Sequence, residues 1–150
     1  MLLCNFLSII LTNTYAKERK MIKLYTDAAT KGNPGPSAGG VLLVVDGIQH
    51  QIKVDLPFVS NHEAEFLAAI AGFEYVKEHY GCKHNLFFYS DSKIVITSLE
   101  KNYSKSYPEL LAKLNKLHDQ FTLVVYQWIP EKQNQGAHQL ALQGLAKFIN

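Results

Sequence analysis

Asp46-Gly47 stands between two β-forming runs, Gly40–Val45 (GVLLVV) and Ile48–Leu56 (IQHQIKVDL). An Asp-Gly pair supplies the two left-handed residues that a tight hairpin turn requires, so the two runs must lie antiparallel. Upstream, Ile22–Ala28 (IKLYTDA) alternates with the period of a half-buried strand. The run between, TKGNPGPSAGG, carries Gly and Pro at a density that excludes a helix. The first half of the chain is therefore predicted to be a three-stranded antiparallel meander, ended with help from Pro57.

Past Pro57 the period changes. Ser60 or Asn61 can cap a helix running to about Tyr80, with Phe66, Leu67, Ile70, Phe73 and Val76 at helical spacing and Gly81 as its stop. Asn85–Ser90 (NLFFYS) reads as a short buried strand. Ser92 to about Lys101 and Pro108 to about Gln120 read as helices, and Thr122–Trp128 (TLVVYQW) as a last strand. A closing helix over Asn134–Phe148 offers Leu140, Leu142, Leu145 and Phe148 to the core. A meander followed by alternating helices and strands implies an α/β fold. It has a five-stranded mixed sheet flanked by helices, its last two strands parallel to the first through right-handed crossovers.

A chain of 150 residues fits one domain with a real core. The expected domain is 21–150. Residues 1–20 stand apart: Leu2–Leu11 is apolar but broken by Asn5 and Ser8, and too short to span a membrane. It has no basic leader and a poor cleavage-like site, against a signal peptide. The expectation is a dispensable extension, with Met21 an alternative start; a membrane or partner anchor is the second reading. Two cysteines, Cys4 and Cys82, make neither a disulfide framework nor a metal-binding spacing, which suits a reduced, cytoplasmic location. A net charge of +2 permits a nucleic-acid partner without requiring one.

Three acids sit where structure alone does not need them. Asp27 lies in a predicted central strand, where Asp is disfavoured and a buried, unpaired carboxylate is costly. Glu65 lies in the first turns of a helix, and Asp91 directly after a buried strand. Singly, each has an ordinary use: Asp91 as a helix cap, Glu65 as a cap or dipole acid, Asp27 bonded to the nearby turn. Together they converge, because the first and fourth strands are expected neighbours with the Glu65 helix across them. Clustered carboxylates raise each other's pKa unless cations neutralise them, and oxygen-only donors favour Mg²⁺ or Mn²⁺.

YTDAATKGNPGPSAGG, SNHEAEFLAAIAGFE, YSDSKIVITSL and WIPEKQNQGAHQLA resemble, in order, the four motif blocks of type 1 ribonuclease H, from about Ile22 to the C-terminus. The resemblance implies endonucleolytic cleavage of the RNA strand of RNA/DNA hybrids by a monomer with two Mg²⁺ ions. It implies that Asp27 bridges the ions and that Glu65, rather than Glu63, and Asp91 are the other metal-binding carboxylates. Gly32, Asn33 and Gly35 match a turn that approaches the shallow minor groove of the hybrid, and Ser60 and Asn61 a polar segment that contacts it.

The chain departs from the pattern in several places. His138 stands where the family has its fourth acid, and the nearest acid, Glu131, lies in the preceding loop. Imidazole binds Mn²⁺ but suits Mg²⁺ poorly. His138 is thus a candidate catalytic residue, as ligand, proton carrier or phosphate contact, in an enzyme weakened or preferring Mn²⁺. The alternatives are an exposed helix histidine and a module that binds hybrid without cutting it. His62 replaces the second Asn of the substrate segment. The KQNQG loop has no histidine, and a long basic insertion is absent, leaving Lys101, Lys105, Lys113 and Lys116 as a modest substitute.

Overall fold

A computed structural model describes residues 18–148 of the chain. Most of the expected N-terminal extension, residues 1–17 with Cys4, lies outside the described residues. Ten elements follow in order: β1 (Met21–Thr30), β2 (Gly35–Val45), β3 (Ile48–Val59), α1 (Asn61–Tyr80), β4 (Asn85–Ser90), α2 (Lys93–Lys101), α3 (Pro108–His118), β5 (Leu123–Trp128), a 3-10 turn (Glu131–Gln133) and α4 (Gln135–Ala146). The sheet order is β3-β2-β1-β4-β5. β1, β2 and β3 pair antiparallel, and β4 and β5 run parallel to β1, as the sequence pattern predicts.

The β2–β3 turn has φ of 53° at Asp46 and 75° at Gly47. That left-handed pair fits the twist of a two-residue hairpin. Ser60 caps α1, its Oγ accepting the Glu63 N–H at 3.3 Å and donating to the Glu63 carboxylate at 3.0 Å. This is the reciprocal pairing of a capping box, here closed through side chains. Gly81 closes the helix at φ 76°, its N–H returning to the Lys77 carbonyl. A positive φ of that kind suits the residue just past a helix end when it has no side chain. Pro108 opens α3, where its missing N–H costs nothing. The main core lies between the sheet and α1–α3. Phe73 sits at its centre, edge-on to Phe88 and Phe121 with ring centroids 5.1 Å and 5.7 Å away. Edge-to-face contacts of this kind are favoured by the ring quadrupoles.

Three expectations are corrected. β3 continues past Pro57 to Val59, because Pro57 falls on an edge strand where the pairing slips between Gly35 and Ser37. A bulge on an edge tolerates a missing N–H. β2 begins at Gly35 rather than Gly40. Its opening Ser37-Ala38-Gly39-Gly40 has little strand propensity, but it is held between β1 and β3 and kept small by two helices. A Cβ on Gly39 would press on Ala68 of α1, and one on Gly40 would meet the Ala137 carbonyl of α4 at 2.0 Å. The third correction is to α4. It buries Ala137, Leu140, Ala141, Gly144 and Leu145, while Leu142 is exposed and Phe148 lies beyond the helix end, also exposed. The buried set follows the regular three-and-four spacing of one helix face. Small residues carry this contact because the helix lies so close to the sheet. Leu67 of α1, at the same helical spacing as the buried Phe66 and Ile70, is half-buried.

Candidate active site

Asp27 sits in the central strand, opposite Gly40 in the β1–β2 register. Asp91 follows β4, one residue beyond the Thr26↔Ser90 pair of the β1–β4 ladder. Glu65 lies in the second turn of α1. One carboxylate oxygen from each of the three lies within 4.8 Å of the others. The ordinary uses of these acids are taken by neighbours. Ser92, not Asp91, caps α2, its Oγ accepting from the Val95 N–H. Glu63, not Glu65, completes the cap of α1. Asp27 bonds to His138 of α4 rather than to the turn.

The electrostatics follow from this crowding. Burial, then the charge of Asp27, pushes the Glu65 carboxyl well above the usual carboxylate range, against an opposing hydrogen bond from the Ala28 N–H. The same two causes raise Asp91 to about 6, opposed by a hydrogen bond from Asn134. Glu65 Oε2 is buried with no hydrogen-bond partner. That arrangement costs free energy unless something else meets the oxygen. Three clustered oxygen donors, one of them orphaned, fit a hard divalent cation such as Mg²⁺ or Mn²⁺.

His138 is only 26% exposed at its side chain, and its Nδ1 lies 2.7 Å from Asp27 Oδ2. A carboxylate accepts, so the proton is on Nδ1. Its Nε2 faces the exposed Glu131 carboxylate at 3.9 Å. The histidine is therefore fixed to the acidic cluster and is not a free surface residue. What brings it there is the absent side chain at Gly40: Ala137 rests on that strand residue, and the next residue along α4 overhangs Asp27.

Beside the carboxylates opens a cleft of about 400 Å³, lined by Ala28, Thr30, Asn61, His62, Glu65, Asp91, Ser92, Lys93 and Ile94. Gly32 and Asn33 are exposed on the β1–β2 turn, and the Asn33 side chain accepts the Asn61 N–H at 3.1 Å, tying the turn to the start of α1. Gly35 is buried inside the turn, where a Cβ would collide with the Lys31 carbonyl at 1.8 Å. Ser60 is engaged in its cap. Lys101, Lys105, Lys113 and Lys116 are all exposed on α2, α3 and their connection.

Two residues join the site without a clear sequence signal. Asn134 is almost fully buried and donates to the Thr26 carbonyl at 2.9 Å, pinning the start of α4 to β1 beside Asp27. From sequence it reads as a helix cap, yet it makes no side-chain capping bond. Trp128 donates its indole N–H to the Asp91 carbonyl at 3.0 Å and lies beneath the Lys93 ammonium, 5.2 Å from its ring centroid. A cation over an indole face is attracted by the ring quadrupole.

Fold and site together define an α/β domain that gathers Asp27 and Asp91, where β1 and β4 end their parallel pairing, with Glu65 of α1, a donor set that fits a divalent cation. Residues 25–144 match the family model described as reverse transcriptase-like. "Putative hydrolase EbsB" of Enterococcus faecalis is 43% identical over 85% of this chain and 96% of its own length. Ribonuclease H of Desulforamulus reducens is 32% identical over 87% of this chain and 89% of its own. The crystal structure of RNase H1 from Halobacterium salinarum superposes with a TM-score of 0.77 at 26% identity, covering 85% of this chain and 98% of that one. The chain belongs to the ribonuclease H family.

Proposed function

We propose that this protein hydrolyses the RNA strand of RNA/DNA hybrids in a reaction that depends on a divalent cation. The observation that carries the reading is the cluster of Asp27, Glu65 and Asp91, with oxygens within 4.8 Å of each other and the buried Glu65 Oε2 unpartnered. These three residues would hold the cation, Mg²⁺ by the chemistry of the donors, with Mn²⁺ the alternative. When bound, such an ion supplies Lewis-acid stabilisation of the charge that builds on phosphoryl oxygens. Asn61 lines the cleft beside the carboxylates, the exposed Gly32 and Asn33 lie on the turn that Asn33 ties to it, and the three would meet the 2′-hydroxyl face of a shallow minor groove. Gly35 shapes that turn from within, and Ser60 holds the helix start that presents Asn61. Exposed lysines at positions 101, 105, 113 and 116 would meet backbone phosphates. His138 orients the Asp27 carboxylate through its Nδ1–H and acts through that contact.

The family pattern adds a monomer, and the cysteine usage, with neither a disulfide framework nor a metal-binding spacing, suits the cytoplasm. Among the described residues no helix is long and apolar enough to cross a membrane, and Cys82 is a free thiol. The test is cleavage of an end-labelled RNA/DNA hybrid with Mg²⁺ or Mn²⁺, beside Asp27→Asn. Metal-dependent cutting by the wild type alone is expected. An uncut hybrid under both metals, or equal cutting by the variant, refutes the reading. An uncut hybrid that is nonetheless bound, with affinity falling steeply with salt, leaves the non-cleaving module as the better account.

A further inference from the structure

We propose that His138 takes the place of a second divalent ion, so that this site binds one ion on Asp27, Glu65 and Asp91. The inference rests on the cation-dependent reading of the cluster and sharpens it. Asp27 bridges two ions most readily with one oxygen on each, both free of other strong partners. Here Oδ2 already accepts the His138 Nδ1–H at 2.7 Å. A hydrogen bond that short to an ionised carboxylate is a strong one. It does not depend on the charge of the imidazole, since the neutral ring with its proton on Nδ1 makes it as well. Asp27 therefore offers one oxygen to an ion and the other to His138.

Charge points the same way. Three carboxylates bring three negative charges. One divalent ion leaves the cluster net negative, the sign that the His138 N–H donor favours, whereas two would leave it net positive against the positive end of that donor, beside an Asp27 that is nearly fully buried. A fourth acid on α4 would restore the balance, and α4 presents an N–H donor there instead. Glu131 is a poor substitute: its side chain is 68% exposed, and its carboxylate stands off from the His138 ring, 3.9 Å from Nε2. The backbone that carries the histidine is held on the sheet. Ala137 is packed onto Gly40, Asn134 is bonded to the Thr26 carbonyl, and both lie within about one helical turn of His138. With its proton on Nδ1 the imidazole could become a ligand only through Nε2, which lies toward the exposed Glu131 carboxylate, and a nitrogen donor there would select Mn²⁺ over Mg²⁺.

The experiment counts Mn²⁺ on the full chain by isothermal titration and by electron paramagnetic resonance, where two ions a few ångströms apart give a coupled spectrum and a lone ion does not. It is run on the protein alone and with a hybrid whose RNA strand is 2′-O-methylated to prevent cutting. One uncoupled ion in the wild type and a coupled pair in His138→Asp, its fold checked by circular dichroism, are expected. A coupled pair in the wild type, or a single ion in both proteins, overturns the inference and leaves the proposed activity standing. No saturable Mn²⁺ binding by either protein overturns both. The wild-type count decides against the inference by itself should the variant not fold.

Discussion

Asp91→Asn should make the metal-free protein more stable and the metal-loaded protein less so. The Asp91 carboxyl is raised from an ordinary 3.8 to about 6, by burial first and the charge of Asp27 second. The folded state thus keeps the proton longer than the unfolded chain does. The stability linked to it is fully present below about pH 3.8 and is lost as pH rises through about 6. A change of that size is worth about 3 kcal/mol, at about 1.36 kcal/mol per pH unit. Asp91 is partly open to water, whose screening reduces this to about 1–2 kcal/mol. Asparagine keeps the shape and removes the charge. Near pH 8 in EDTA, Asp91→Asn should melt about 3–6 °C above the wild type, since about 1 kcal/mol moves the midpoint of a domain this size by a few degrees. Near pH 4 the two should converge. Mg²⁺ at about a hundred times its Kd adds about 2.7 kcal/mol to the wild type and far less to a variant lacking one ligand. Scanning calorimetry across this pH range, with EDTA or with MgCl₂, reads all three effects. A variant that melts at or below the wild type near pH 8 in EDTA, or that gains as much from Mg²⁺, refutes the reasoning.

Three further substitutions probe separate parts of the structure. Phe73→Ala empties the centre of the core between Phe88 and Phe121 and should cost about 3–5 kcal/mol in urea denaturation; a loss under about 1 kcal/mol would mean that Phe73 is not packed as described. Gly40→Ala puts a methyl group where the Ala137 carbonyl lies, so α4 must move away at a cost of about 1–3 kcal/mol. The His138 imidazole resonances should shift as the contact with Asp27 lengthens, and an unchanged imidazole spectrum would contradict that link. Asn33→Ala removes the acceptor of the Asn61 N–H at an exposed position and should change stability by less than about 1 kcal/mol. It should raise KM for hybrid several-fold with kcat little altered, whereas an unchanged KM would separate this turn from substrate binding.

The strand order and the convergence of Asp27, Glu65 and Asp91 are legible in the sequence because local signals agree with the fold. Asp46-Gly47 sets the hairpin, the alternation in Ile22–Ala28 sets β1, and each acid falls at an element boundary or in a strand that would otherwise reject it. What was not legible depends on contacts between distant segments. The strand character of Ser37–Gly40 comes from its two neighbours and from helices that demand small residues. The exposure of Leu142 follows from α4 packing through Ala137, Ala141 and Gly144, so the bulkiest residues are not the best guide to its buried face. Pro57 reads as a stop until it is seen on an edge strand at a bulge. Asn134 reads as a cap, and its inward bond to the Thr26 carbonyl spans 108 residues of sequence. The position of His138 was apparent, but its partner was not, because the Gly40–Ala137 contact and the Asn134 bond to Thr26 together place that helix turn over Asp27.

Asp27 and Asp91 follow the last paired residues, Thr26 and Ser90, on adjacent parallel strands. Neighbouring strands lie about 4.8 Å apart, a distance fixed by backbone hydrogen bonds and not by the side chains that cover them. The gap between these two carboxylates is therefore gauged by the sheet itself. A gauge of that kind has little give. On the proposed cation-dependent reading, an ion of the right radius would find these two ligands already spaced, while a larger one such as Ca²⁺, which takes longer bonds and more of them, would be met only by turning side chains. Discrimination by size would then begin in the hydrogen-bond ladder between β1 and β4, before any residue on α4 takes part.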